Sequence, residues 1–333
     1  MMNKLSLFLL TTMGACSAQA EIIKIPKESG FSGFAMAGVG AMEYESNMFK
    51  GPNDDNSSHN GLNKSPDSHS SAIPLFGVDL RYTFANSGTQ LFLGNLIQDA
   101  VRFDFTQQLG VRQQISDKGI VSLGYVFPLM ATETWSDPYK SGNRKETDMK
   151  SGGARITWDQ IWNSNFNAAY TVRKFDLDKE RSGASLTQLT DNERDKLDRN
   201  GDTQEFALSY DWLIAPNHVI RPELTFTNGD FDGKAMSYDK TIVQLSYAVT
   251  GSQWSLVTNA FGGKISYDAT NPIYGKEADS NEFGLNTTFF WHNLFGVHSL
   301  SGLVSASYSK SDSDIDFYDA YVSSFGTSLM YRF

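Results

Sequence analysis

The 333-residue chain carries 38 acidic against 28 basic residues, a formal net charge of −10, which argues against a nucleic-acid ligand, because such proteins present basic faces. Its single cysteine, Cys16, lies in a segment read below as removed, so disulfides, a thiolate zinc cage and a cysteine nucleophile are not expected. Mean hydropathy is −0.36, and no apolar run after the first 20 residues reaches the ~20 residues that a membrane-crossing helix needs, which excludes a helical inner-membrane protein.

Residues 1–20 read as a cleaved secretory signal: a short basic start ending at Lys4, an apolar stretch from Leu5 to Ala15, and the small-x-small site Ala18-Gln19-Ala20. The rival reading is a lipoprotein signal ending at Cys16, but Met13 and Gly14 suit that processing poorly. Residues 21–30 form a short periplasmic segment, too short for a plug, and 31–333 form one barrel domain.

From Phe31 onward the period is two, with no sustained helical stripe. Fourteen strands are predicted near 31–46, 72–84, 89–97, 101–115, 119–132, 151–160, 166–177, 202–213, 218–228, 236–249, 253–267, 281–292, 298–310 and 319–333, or twelve if two of them stop short of crossing. The stretch 101–115 is the clearest: Val101, Phe103, Phe105, Leu109 and Val111 share one face, and Arg102, Asp104, Thr106 and Arg112 the other. Such strands exceed the usual ~5–6 residues and suit tilted strands crossing a bilayer. Only alternate residues of such strands meet lipid, so average hydropathy does not argue for solubility.

Short connections (86–88, 116–119, 215–218, 250–253) alternate with long polar ones at 47–71, 133–150, 178–201, 229–235, 268–280 and 311–318, the exception being a short link at 98–100. Outer-membrane barrels have short periplasmic turns and long external loops, so both termini are expected in the periplasm. Trp158, Trp162, Trp212, Trp254 and Trp291 sit beside short turns, and Tyr44, Tyr238, Tyr267, Tyr308 and Tyr321 beside long loops. Amphipathic rings gather at headgroup level, so these are read as two girdles. The first long loop is nearly devoid of apolar residues and is expected to be mobile; the loop at 178–201 is expected to form a short helix through Leu186, Leu189 and Leu197 over the mouth.

Motifs for chemistry are thin. Asp198-Arg-Asn200-Gly-Asp202 looks like part of a calcium loop, but with Gly201 sixth Lys196 falls first and Ala207 twelfth, and with Asp198 first Thr203 stands where Gly belongs, so it reads as a polar turn. No metal or cofactor is expected. His59 and His69 fall in the first loop, and His218, His292 and His298 at short turns. No alternation places one beside a serine and an acid as an activated nucleophile requires, so no enzyme is expected. The informative set is the polar strand face: Asp79, Arg81, Arg102, Asp104, Arg112, Arg155, Asp159, Arg173, Glu205, Asp211, Arg221 and Glu223. Inside a barrel these either line a hydrated lumen and tune its selectivity or pair across a filled one. Fourteen strands lie between packed and wide barrels, which favours a narrow open lumen.

The chain ends on a strand with Phe325, Thr327, Leu329, Tyr331 and Phe333 on one face. This ending resembles the closing strand of Gram-negative outer-membrane porin-like barrels, which implies that Phe325, Leu329, Tyr331 and Phe333 are read by the barrel-assembly machinery. Together with Phe31-Ser-Gly-Phe-Ala and Leu197-Asp-Arg-Asn-Gly-Asp, it also resembles a barrel family of unknown function from marine gamma-proteobacteria. The expectation is an all-β, transmembrane antiparallel up-and-down barrel in the outer membrane, in contact with lipid and lipopolysaccharide. It would pass small hydrophilic solutes or ions without chemistry. The alternative is a non-conducting barrel that displays its loops as a structural or surface-interaction protein. Oligomeric state is not legible.

Overall fold

The computed structural model describes residues 23–52, 56–95, 106–128 and 132–333. Alternating side chains make strands, and each strand pairs antiparallel with its sequence neighbours. In chain order these are β1 (Gly30–Ser46), β2 (Ser68–Phe84), β3 (Thr89–Asn95), β4 (Thr106–Gln114), β5 (Ile120–Pro128) and β6 (Thr132–Trp135). There follow β7 (Glu146–Asp159), β8 (Phe166–Leu177), β9 (Gly201–Tyr210), β10 (Trp212–Ala215) and β11 (His218–Phe231). The last are β12 (Tyr238–Thr250), β13 (Trp254–Tyr267), β14 (Ser280–Trp291), β15 (Leu300–Ser313) and β16 (Ala320–Arg332). Strands β5 and β6 both pair with β7, and β9 and β10 both with β11. Each of those pairs is one interrupted stave, so the 16 strands of the sheet make fourteen staves.

The sheet closes where β1 pairs with β16, from Phe34↔Arg332 to Ser46↔Ala320. Phe333 completes the seam: its carbonyl accepts from Gly33 N at 3.0 Å and its N–H donates to Gly33 O at 3.1 Å. Fourteen staves ~4.8 Å apart and tilted ~40° give a backbone radius of roughly 14 Å. Closure joins the first and last staves, so neither is left as a sheet edge.

The two faces differ as the alternation predicts. Phe76, Val78, Leu80, Leu123, Tyr125, Val243, Leu245, Phe283, Leu285, Phe325 and Leu329 are exposed on the outside. An apolar belt this extensive is unsustainable in water and is the surface of a barrel in lipid. Trp158, Trp162, Trp212, Trp254 and Trp291 all lie at the short-turn end. Trp254 and Trp291 are direct partners in the ladder, and Trp158 Nε1 donates to Lys118 O at 2.7 Å.

Three differences stand out. Strands β2 and β7 start earlier than the periodicity suggests, because the ladder continues into a polar rim (Ser68–Ser71, Glu146–Lys150) after the apolar alternation has ended. Tyr44, Tyr238 and Tyr267, read as an outer girdle, share the inward parity of their strands instead, while Tyr308 is exposed outside. The inner wall over β14, β15, β16, β1 and β2 also carries an apolar cluster: Phe34, Met36, Met42, Ile73, Leu75, Phe290, Leu303 and Met330 pack together. Glycines on neighbouring staves make room for inward side chains. Asp79 faces Gly94 and Phe92 faces Gly110 in the ladder, and a Cβ on Gly110 would come within 2.7 Å of the Phe92 ring.

Candidate functional site

Opposite the apolar sector, the inner wall from β2 to β11 is charged. Toward the short-turn end, Arg81 pairs with Asp79, with Nε 2.7 Å from Oδ1 and Nη2 donating to Oδ2 at 3.2 Å. On the adjoining staves Arg112 donates to Gln90 Oε1 at 3.2 Å and lies 4.2 Å over the Phe92 ring. Asp159 accepts from Thr157 Oγ1 at 2.9 Å, and Thr157 in turn meets Ser122 Oγ at 2.6 Å. Asp211 accepts from Arg221 Nε, and from Asn167 Nδ2 at 2.9 Å. Asp159 lies within electrostatic reach of Arg112, Arg221 and Asp211, so these staves share one field.

Higher in the lumen, Arg155 donates to Thr171 Oγ1 at 2.7 Å and pairs with Glu205 at 3.5 Å. Arg173 donates to Ser151 Oγ at 3.0 Å and stacks on Phe175 at 4.9 Å. Glu223 accepts from Thr225 Oγ1 at 3.3 Å. Ten of the twelve charged residues singled out in the sequence therefore sit on the inner wall; Arg102 and Asp104 lie outside the described residues. One ion pair was missed: Lys240 Nζ lies 2.6 Å from Glu282 Oε2 across β13. Both share the inward parity of their strands, a signal the alternation already carried. Among the described residues the inner wall carries Arg81, Arg112, Arg155, Arg173, Arg221, Lys240 and Arg332 against Asp79, Asp159, Glu205, Asp211, Glu223 and Glu282, seven positive and six negative.

The long loops build a cap. Tyr139, Leu189, Leu197, Ala235, Ala278, Ile315 and Phe317, from five different loops, form one buried cluster, with Met48 and Leu62 of the first loop packed against it. Helix α1 (Asp191–Asp195) is a single turn, closed by the reciprocal Thr190–Glu193 capping box; the expected helix through Leu186, Leu189 and Leu197 is not formed, because all three lie outside this turn and pack individually into the cluster. The first loop, expected to be mobile, is held at both sides of residues 53–55. Lys50 pairs with Glu133 at 2.7 Å, Asn56 Nδ2 donates to Phe49 O at 2.8 Å, and Arg144 donates to the carbonyls of Asn47 and Asn56. Asp137 accepts from the N–H groups of Gly183 and Ser185 at 3.0 and 2.9 Å, tying the loop after β6 to the loop after β8. The calcium-like segment is a turn: Asp198 Oδ1 accepts from Asn200 N at 2.8 Å. Among the described residues no group of three or more His, Cys, Asp or Glu could hold a metal.

Burial lifts the Tyr139 phenol to about 12 and raises Tyr318, which shares a hydroxyl–hydroxyl hydrogen bond with it. An unfolded tyrosine ionises near ~10. The cap therefore holds its full stability below pH ~10 and loses it as pH rises through ~12, by about 2–3 kcal/mol for Tyr139. Tyrosinate absorbance should appear together with loop cleavage by protease, well before the strand circular-dichroism signal changes.

One arrangement was not legible in the sequence. His292 Nε2 lies 2.7 Å from Ser255 Oγ, and its Nδ1 lies 3.3 Å from Ser301 Oγ. Ser255 is only 1% exposed, so the contact reads as a satisfied buried hydroxyl rather than an approachable nucleophile.

A closed antiparallel sheet, apolar outside and charged within, defines a transmembrane β-barrel. The chain belongs to the family described as protein of unknown function (DUF2860), which matches residues 30–332. No curated protein matches it. Among solved structures it is similar to an anion-selective porin from Comamonas acidovorans (10% identity, 92% of this chain and 100% of that one, TM-score 0.41). It is also similar to the outer-membrane expressed OmpT of Vibrio cholerae (10% identity, 94% and 100%, TM-score 0.43). A third is the outer membrane channel DcaP of Acinetobacter baumannii (10% identity, 93% and 100%, TM-score 0.41). Likenesses this loose leave the fold to rest on the chain's own strand pairing.

Proposed function

We propose that the protein is a porin-like channel of the outer membrane, through which small hydrophilic solutes or ions diffuse passively. The observation that carries this reading is the inward band of charge inside an apolar wall. Charged side chains are kept within a membrane-spanning structure where water or an opposite charge meets them. Short turns with five Trp at one end and long loops at the other favour a periplasmic position for both termini. In this reading Phe325, Leu329 and Tyr331 of β16, and Phe333 just after it, all exposed, are what the assembly machinery reads, and lipid and lipopolysaccharide surround the belt. Mechanism is electrodiffusion, with no chemistry assigned.

Planar-bilayer recording tests the proposal: stable current steps are expected, and their absence from correctly folded protein would sink it. Because the described inner charges nearly balance, seven positive against six negative, the reversal potential in a salt gradient should be small. Arg112→Glu should move it toward cation preference; no movement would remove Arg112 from the path. A second reading, a non-conducting barrel serving as a platform for surface interaction, is favoured by one observation, the packed cap over the mouth. Silence in the bilayer with retained loop structure would select it.

A further inference from the structure

We infer that the loop end of the lumen carries a saccharide-binding platform formed by Phe175, Phe231, Tyr238 and Tyr267; the inference rests on the lumen being hydrated, as proposed above. These residues occupy the inward positions at the upper ends of β8, β11, β12 and β13. Their rings form a continuous row: Phe175 to Phe231 at 6.4 Å, Phe231 to Tyr238 at 6.0 Å, and Tyr238 to Tyr267 at 5.8 Å between centroids. Beyond Tyr267 the row enters the cap through Tyr318 at 6.3 Å. There Tyr139 and Phe317 are fully buried, whereas the four strand rings are only half-buried. The row thus passes from a dry core to a partly open rim.

Two glycines set how the rings lie. A Cβ on Gly229 would come within 2.9 Å of Phe231 and 3.0 Å of Tyr238, and one on Gly201 within 3.0 Å of Phe231. The rings therefore rest against bare backbone rather than standing off it. Polar groups lie just beneath. Arg173 precedes Phe175 by two positions on the same face, and Lys240 follows Tyr238 by two, a separation of ~6–7 Å along a strand. Glu282, paired with Lys240, and Glu205 complete the set.

This combination fits a sugar ring better than other guests. A pyranose has an apolar C–H face that lies on an aromatic ring, and a rim of hydroxyls that both donate and accept. Arg173 and Lys240 only donate, and Glu205 and Glu282 only accept, so a hydroxyl rim satisfies both kinds at once. An anion would face two carboxylates, and an apolar guest would strip water from all four without replacing it.

The test uses the full-length protein, folded in detergent micelles, with saturation-transfer NMR and calorimetry. The probes are maltohexaose, cellohexaose and a polyethylene glycol of matching size. At least one hexasaccharide should bind more tightly than the glycol. Tyr238→Leu and, independently, Phe231→Leu should each weaken binding roughly tenfold, while Tyr238→Trp stays within about threefold of the native protein. Binding no better than the glycol, or unchanged binding in both Leu variants that still fold, overturns the inference. The readout needs no current. A conducting barrel that ignores saccharides defeats this inference alone, and a silent one that binds them defeats the channel reading alone.

Discussion

Replacing Arg144 with alanine is expected to dissolve the loop cap while leaving the barrel intact. Arg144 is 5% exposed and stands in the loop after β6. Its Nη1 donates to Asn47 O at 2.6 Å and to Pro138 O at 3.2 Å, its Nη2 donates to Asn56 O, and the guanidinium lies 4.6 Å over the Trp135 ring. One planar fork thus satisfies three carbonyls from two loops. Hydrogen bonds from a charged donor contribute ~1.5–3 kcal/mol each, and buried carbonyls left without a donor are costly, so the cap should lose about 3–5 kcal/mol. The ladders of the staves are untouched, so strand circular dichroism should not change. Limited proteolysis should open within residues 56–67, and conductance should rise if the cap obstructs the mouth. Arg144→Lys should rescue little, because an ammonium cannot reproduce the fork. A cap as protease-resistant as the native one in Arg144→Ala would show that the apolar cluster alone holds it.

The second large effect is expected at Asp211, in the break between β9 and β10. It is 2% exposed and accepts from Arg221 and Asn167, while its own N–H donates to Asn165 O at 2.9 Å. Asp211→Ala leaves the Arg221 charge without its acceptor. Removing one partner of a buried pair costs about 3–5 kcal/mol. The lower end is expected because Arg221 keeps 21% of its side-chain surface exposed. Asp211→Ala combined with Arg221→Met should recover most of the loss, since replacing both partners of such a pair by apolar groups is often close to neutral. Urea titration in micelles reads both. If the double variant is no more stable than the single one, the pair is not the source of the effect.

The staves were legible because lipid imposes alternation on the outer face, and an alternating row such as Phe76, Val78 and Leu80 has one assignment. Where both faces are apolar the rule gives parity without direction. That is why Met36 and Met42 of β1 went unrecognised as part of an inner sector. Tyr238 and Tyr267 were misassigned for a related reason: a tyrosine beside a long loop suits a headgroup girdle and a lumen rim equally, and only strand parity separates them. Half of the site was readable, since an Arg or Asp opposite a greasy face has to point inward. The partners were not. Asp211 meets Arg221 across a stave break, Lys240 reaches Glu282 over an intervening strand, and Ser255 meets His292 from another stave. The cap was least accessible of all: Tyr139, Leu197 and Phe317 come from loops without any period, and their apolar residues are too sparse to announce a core until the barrel brings them together.

The joint between β1 and β16 has a consequence for how the molecule is made. Every other stave pairs with one that leaves the ribosome just before or after it, but this joint unites the two ends of the barrel. Bringing such distant segments together carries the largest loop-closure entropy of any pairing here, and the glycine-rich stretch at Gly38, Gly40 and Gly326 offers few side chains to guide the register. Zipping should therefore be the last and slowest event, with an open sheet as its precursor. The hydrogen bonds of Gly33 with Phe333 then serve as the clasp that ends assembly.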